Sequence, residues 1–215
     1  MIDFIKKYSY CFYEQNEIII DILNYAPKLY DSFEMPEQPS LLNWDKLHYR
    51  RFNKKTIISR NFYTLNDDKT VTESFDFELT EERENFNKLL DNYLNIVVEI
   101  FSELSEKLGI NKEVNVESLS WYFLKYYKRN PIPRKRNLPQ MRAHTDDKTF
   151  TLINSTHPGL LSLDDSTGKW MPLFKTPKTS SILLGTQQSL YPARKHMVKF
   201  LHPKIKTRYS FLVFV

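Results

Sequence analysis

Met141-Arg142-Ala143-His144-Thr145-Asp146, followed far along the chain by His196 and by Arg208-Tyr209-Ser210, is the stretch that decides how the C-terminal half must fold. On extended backbone the side chains of positions i and i+2 lie on one face, so His144 and Asp146 project together. A histidine brought alongside by a neighbouring strand completes a 2-His-1-carboxylate set, which occupies one face of a metal's octahedron and leaves the opposite face open. Arg208 and Ser210, again two apart, share a strand face with Leu212 and Phe214. An arginine inside a barrel needs an anionic partner, because leaving it unpaired there is costly. Strands that bring positions 144, 196 and 208 to one interior are therefore required.

A lone His-x-Asp triplet carries little weight, since chance gives roughly 0.3 of them in a chain of this composition. Order and spacing add the rest. His196 follows His144 by 52 positions and Arg208 follows His196 by 12. His202 is the rival for the distal position, but it stands with Pro203-Lys204 in a turn pattern beyond a strand starting near Met197. That puts it at the far end from the metal, so His196 is the better ligand. His157 precedes Pro158-Gly159 and reads as loop, and His48 has no partner pattern.

Outward from this stretch the texture is β-rich. Strands are expected at 118–127, 149–154, 160–163, 169–174, 180–184, 197–201 and 208–215, with Asp164-Asp165-Ser166-Thr167-Gly168 as a hairpin turn. Upstream, Phe86, Leu89, Leu90, Tyr93, Leu94, Val97, Val98, Phe101, Leu104 and Leu108 recur at helical spacing and predict a helix over 81–108. Thr80 is its expected N-cap, Glu81, Glu82 and Glu84 suit its positive end, and Gly109 suits its C′ position. Residues 2–24 read as a second, less regular helix and 56–64 as a strand. Helices first and antiparallel strands after, without βαβ alternation, predict an α+β chain built on a jelly roll with supporting N-terminal helices. One domain over 1–215 is expected, with 1–116 mainly helical support and 117–215 the jelly roll carrying the site.

Composition narrows the function. The chain has 215 residues, 41% hydrophobic and 14% aromatic, enough for one sizeable core. Cys11 is the one cysteine, so neither an internal disulfide nor a cysteine metal cluster is possible, and a cytoplasmic setting is expected. No apolar run is long enough for a signal core or a membrane span. Four glycines exclude a Gly-rich nucleotide loop. The net charge of +5 is unevenly placed: residues 1–108 carry −7 and residues 109–215 carry +12. A basic field around the site favours an anionic small molecule. The loop 125–142, with Lys125, Lys128, Arg129, Arg134, Lys135, Arg136 and Arg142, reads as a rim of that site, with nucleic-acid binding as the other reading.

From Leu124 onward the chain resembles the 2-oxoglutarate/Fe(II)-dependent oxygenase superfamily, within it the isopenicillin N synthase-like branch. Tyr126-Tyr127 before a Pro-containing loop, Met141 to Asp146, Thr149 to Ile153, Gly159-Leu160, Gly168-Lys169-Trp170, Leu184-Gly185, His196-Met197-Val198 and Arg208-Tyr209-Ser210 carry the resemblance in order. It implies a double-stranded β-helix holding Fe(II) through His144, Asp146 and His196. It also implies 2-oxoglutarate as cosubstrate, its distal carboxylate on Arg208 and Ser210 with Tyr127 nearby, and dioxygen as oxidant. The chain departs from the family at Lys125, Met197 and Thr186, is short before the long helix, and has no lid helix after the last strand. The family's substrate-binding residues are therefore not carried over. Hydroxylation is the expected outcome, with desaturation and cyclisation as the alternatives the strand pattern leaves open, while a retained Asp146 disfavours halogenation because it occupies the place a halide would need. An iron-dependent oxidase without 2-oxoglutarate, with Arg208 on a substrate carboxylate, and a non-catalytic jelly-roll binding module are the competing readings.

Overall fold

The computed structural model describes residues 1–14, 17–31, 42–52, 55–64, 70–77, 81–127, 139–199 and 204–215; residue 31, residues 42–45, 47–52, 55–64, 70–77 and 81–83, and residue 127 are described through their backbone alone. Among the described residues three α-helices, α1 (Ile2–Tyr8), α2 (Ile18–Asp31) and α3 (Glu81–Leu108), and a short 3-10 turn (Val116–Ser118) accompany twelve strands. The strands are β1 (Tyr10–Glu14), β2 (Leu42–Phe52), β3 (Lys55–Thr64), β4 (Thr70–Phe77), β5 (Ser120–Tyr127) and β6 (Met141–His144), then β7 (Phe150–Ser155), β8 (Leu160–Asp164), β9 (Lys169–Pro172), β10 (Thr179–Leu184), β11 (His196–Val198) and β12 (Thr207–Phe214).

All strand pairings among the described residues are antiparallel. The larger sheet runs β1-β10-β7-β12-β5-β2-β3-β4 and the smaller β6-β11-β8-β9. The expected jelly roll is present as these two facing sheets. Strand β12 shows why: its residues alternate between two cores, as a strand buried on both faces must. Phe211 and Val213 join the core under the helices, with Phe101, Tyr93 and Phe86 of α3 and Ile19, Ile22 and Ala26 of α2. Leu212 and Phe214 join the core between the sheets, with Leu124, Tyr126, Ile153, Leu160 and Val198. Arg208 and Ser210 are on that second face.

Helix α3 has the bounds its periodicity predicts. Phe86, Leu90, Tyr93, Val97, Phe101 and Leu104 are buried along one stripe, and the Phe101 ring stacks on Phe150 of β7 at 5.3 Å. Gly109 closes the helix at φ 68, its N–H donating to Glu106 and that of Ile110 to Ser105. This is a Schellman closure, which the left-handed glycine permits. Thr80 lies outside the described residues. Beneath the helix Tyr93 Oη donates to Asn154 Oδ1 at 2.7 Å and Asn154 Nδ2 to Ser180 Oγ at 2.8 Å, so buried polar groups of β7 and β10 are satisfied.

Residues 2–24 are not one helix. The chain breaks at Ser9, φ 61, and Tyr10-Cys11-Phe12-Tyr13 run as a strand against Leu183 to Ser180 of β10. Those β-prone side chains cover what would be the open edge of β10, and pairing at a sheet edge overrides the local helical pattern. Helix α2 then continues to Asp31. Residues before 117, expected to be mainly helical, also supply β1 and the meander β2-β3-β4 to the larger sheet. The Asp164–Gly168 hairpin turn is observed, with Gly168 at φ 66 and Asp164 accepting from Ser166 and Thr167. No helix among the described residues is long and apolar enough to cross a membrane.

Candidate active site

His144 ends β6, and His196 opens β11 directly opposite it in register. Asp146 stands two residues past the strand end. The pairing brings the two imidazole rings to 4.3 Å between centroids, and Asp146 Oδ1 lies 3.6 Å from His144 Nε2 and 3.5 Å from His196 Nε2. One atom from each of the three lies within 4.8 Å of the others, the one such His/Cys/Asp/Glu grouping among the described residues.

Each of the three side chains is held by its surroundings. The carbonyl of Arg142 accepts from His144 Nδ1 at 2.9 Å, which leaves Nε2 as the free lone pair on the Asp146 side. His196 is buried, and desolvation pushes its pKa down to about 4, against the attraction of Asp146 and with the help of His144. It is therefore neutral at pH 7, the form a metal requires. Thr151 Oγ1, on β7 in the middle of the larger sheet, donates to Asp146 Oδ2 at 2.5 Å. That bond leaves the other carboxylate oxygen, Oδ1, beside the two histidines.

Gly185 secures the loop from beneath. Its N–H donates to Thr149, while the N–H groups of Thr186 and Gln187 donate to the carbonyls of Asp146 and Lys148. A Cβ at position 185 would fall 2.0 Å from the Lys148 carbonyl oxygen and 2.9 Å from that of Asp146. Only glycine lets the two backbones approach so closely.

Arg208 is 1% exposed on the same interior. Its Nη2 donates to Ser155 Oγ at 2.8 Å, and Ser155 Oγ is 2.8 Å from Ser210 Oγ. Its Nε and Nη1 have no hydrogen-bond partner, and no carboxylate lies within ion-pair distance among the described residues. Burial lowers its pKa from the ordinary arginine value. The guanidinium carbon is 5.1 Å from the Tyr126 ring centroid, and Gly159, at φ 143, leaves room for Nη1, which a Cβ there would approach to 3.3 Å. A buried guanidinium with unsatisfied donors is a costly arrangement unless an anion completes it.

His144, Asp146, His196, Arg208 and Ser210 line one cavity of about 270 Å³, together with Tyr126 and Lys46 and an apolar wall that includes Leu160 and Val198. This approaches the lower end of small-molecule sites. The structure thus brings together five of the six site residues expected from the sequence. The sixth, Tyr127, is described through its backbone, which pairs with Thr207; the ring beside Arg208 is that of Tyr126, directly opposite it in register. His202 and residues 128–138 of the basic loop lie outside the described residues. His157 is in a bend and its ring is 2.9 Å from Thr156 Oγ1. Lys125 turns to the helix side, over the rings of Tyr30 and Tyr209, and does not line the cavity.

Thr151, Ser155 and Lys46 were not legible as site residues. Thr151 and Ser155 sit on a wholly buried strand where alternation marks no face, and Lys46 belongs to a strand without an evident pattern.

No protein-family model and no curated protein matches the chain. Solved structures do match. A full-length Neurospora crassa protein in complex with alpha-KG and 5-formyluracil is 15% identical with a TM-score of 0.65, over 99% of this chain and 76% of that one. The dioxygenase for auxin oxidation 1 from Arabidopsis thaliana, bound to 2-oxoglutarate, is 16% identical with a TM-score of 0.64, over 99% and 85%. A putative 2OG-Fe(II) oxygenase family protein from Caulobacter crescentus is 15% identical with a TM-score of 0.62, over 98% and 78%. The chain shares its fold with these proteins.

Proposed function

We propose that the chain is a non-haem Fe(II)- and 2-oxoglutarate-dependent dioxygenase that oxidises a small molecule, by hydroxylation in the first instance. One observation carries the reading: a single cavity holds three atoms suited to a metal within 4.8 Å of one another and a buried guanidinium with two nitrogens that have no partner among the described residues.

His144, Asp146 and His196 would hold the iron. Two neutral imidazoles and one carboxylate on one side are the donor set suited to Fe(II) with open positions opposite. Arg208 and Ser210 would take the distal carboxylate of 2-oxoglutarate, an anion this buried guanidinium does not find among the described residues; arginine meets a carboxylate through two parallel hydrogen bonds and serine adds a third. Tyr126 would stand near that carboxylate as well as Tyr127, the residue that the resemblance puts there and whose side chain lies outside the described residues. When bound, iron, 2-oxoglutarate and dioxygen supply the oxidising chemistry, and the protein supplies position. The chain's own contribution is to keep His196 neutral by burial, His144 in the tautomer set by Arg142 and Asp146 turned by Thr151. Leu160, Val198, Ile153 and Leu212 keep the interior apolar around the ligands.

The 5-formyluracil and thymine bound to the Neurospora protein support a small-molecule substrate. The +12 charge of residues 109–215 supports an anionic one. We take residues 1–215 as one functional domain, and the buried free thiol of Cys11 as suited to the reducing cytoplasm.

Oxygen-dependent conversion of 2-oxoglutarate to succinate by the Fe(II)-loaded protein tests the reading. The wild type turns over, and His144→Ala, Asp146→Ala and His196→Ala do not. Oxygen uptake without 2-oxoglutarate consumption would transfer the site to the oxidase reading.

A further inference from the structure

We propose that the cavity between α1, β1, β8 and β9 is a second ligand site, which takes an uncharged aromatic molecule bearing a carbonyl oxygen.

This cavity measures about 250 Å³. No residue of its wall lines the cavity of His144, Asp146 and His196. The division runs between two neighbours in register. His196 is opposite Ser162 of β8, yet His196 lines the first cavity and Ser162 the second. Asp164, two along β8 from Ser162, shares its face, and Met171 of β9 is opposite Ser162. Tyr10 of β1 adds to the wall, with Phe4 and Tyr8, one turn apart on α1. The Phe4 ring meets Tyr10 edge-on at 5.3 Å between centroids. Phe4 and Met171 are 39% and 41% exposed, so apolar side chains mark the opening.

Arg194 fixes the polar end. Its Nη1 donates to Asp164 Oδ1 at 3.3 Å and its Nη2 to the Lys7 carbonyl at 2.9 Å, which ties the end of α1 to β8. Its guanidinium carbon is 5.8 Å from the Tyr8 ring centroid. Two buried polar atoms of this wall, Arg194 Nε and Ser162 Oγ, have no hydrogen-bond partner among the described residues. Unpaired buried polar groups are costly, and a ligand that pairs them recovers the loss. Both can donate, so the ligand brings an acceptor. Asp164 already balances the charge of Arg194, and a carboxylate placed there would meet the Asp164 carboxylate. An uncharged carbonyl oxygen fits instead. The Phe4, Tyr8 and Tyr10 rings suit a flat aromatic body, which they meet by stacked or edge contacts.

The methionine methyl groups report the two cavities separately, because Met171 lines the second and Met141 the first. Benzamide, benzoate and toluene are titrated into the chain carrying 13C-labelled methionine methyls and followed by NMR, with Met141→Leu and Met171→Leu assigning the signals. Benzamide should shift the Met171 signal saturably and leave that of Met141 in place. Benzoate, which is charged, and toluene, which has no acceptor, should bind about ten-fold or more less tightly, the usual worth of a hydrogen bond from a charged donor. Ser162→Ala should weaken benzamide about two- to ten-fold. Arg194→Lys keeps the charge beside Asp164 but has no Nε–H, and should weaken it about ten-fold. If Arg194→Lys does not fold, Ser162→Ala decides alone. No saturable shift at Met171, a shift at Met141 in its place, three probes binding alike, or unchanged benzamide affinity in Ser162→Ala would each overturn the assignment.

Discussion

Gly185→Ala is the substitution whose consequence the backbone predicts most sharply. Gly185 is not among the positive-φ glycines, so alanine meets no torsional penalty there, and the effect comes from contact alone. The new methyl would lie 2.0 Å from Lys148 O, 2.8 Å from Lys148 C and 2.9 Å from Asp146 O. These are backbone atoms and cannot rotate away. Overpacking of this kind costs about 1 to 3 kcal/mol. Loosening the three backbone hydrogen bonds from positions 185–187 to the 146–149 loop adds roughly 1 kcal/mol for each one lost. A net loss of about 2 to 4 kcal/mol would lower Tm by roughly 4 to 16 °C for a chain of this length. The same displacement moves Asp146 away from His144 and His196, so metal affinity should fall about ten- to a hundred-fold, as for other residues that orient ligands from behind. Thermal denaturation of the metal-free protein and a Co(II) titration read the two effects independently. Unchanged Tm together with unchanged Co(II) affinity would refute the claim that Gly185 positions the carboxylate.

Thr151→Val removes the hydroxyl that orients Asp146 while keeping the shape, and Co(II) affinity should fall about ten- to a hundred-fold, with Thr151→Ser close to wild type; equal affinities would remove Thr151 from the site. Phe101→Ala takes away the ring stacked on Phe150 and should cost about 3 to 5 kcal/mol in denaturant unfolding, whereas a loss under about 1 kcal/mol would show that α3 does not support the sheet there. Asp164 is held below its ordinary value, to about 2, first by its hydrogen bonds from Ser166 and Thr167. The unfolded chain therefore takes up its proton first, so this residue's stabilisation is present above an unfolded pKa of 3.8 and is lost as pH falls towards 2. Asp164→Asn should flatten that part of the stability profile in acid unfolding, and an unaltered profile would contradict the assignment.

Helix α3 and the C-terminal strands were legible because each buries a stripe or an alternating face that its own residues declare. Phe86 to Leu108 repeat at helical spacing, and Arg208, Ser210, Leu212 and Phe214 separate cleanly from Tyr209, Phe211 and Val213. The grouping of His144, Asp146 and His196 was legible because its spacing is local at 144 and 146 and its third member has few competitors. What was hidden depends on pairing. Tyr126 and Tyr127 are adjacent identical side chains, and only the register against β12 puts Tyr126 beside Arg208. Residues 10–14 have apolar spacing that also fits a helix, and the exposed edge of β10 decides the matter. Lys46 reaches the cavity through β2, whose mixture of charged and aromatic residues shows no clean alternation. Gly185 drew notice through the resemblance, but its reason, contact with a loop 37 positions earlier, exists only in three dimensions.

Anaerobic absorption spectroscopy, as Fe(II) and then 2-oxoglutarate are added, decides the dioxygenase reading. A weak visible charge-transfer band is expected that requires both, saturates at one iron per chain, and is lost in His196→Ala. In Arg208→Lys, which keeps the charge but loses the planar fork, the band should need about ten- to a hundred-fold more 2-oxoglutarate, with iron binding little changed. Iron bound without any band at saturating 2-oxoglutarate, or no iron bound at all, would contradict that reading.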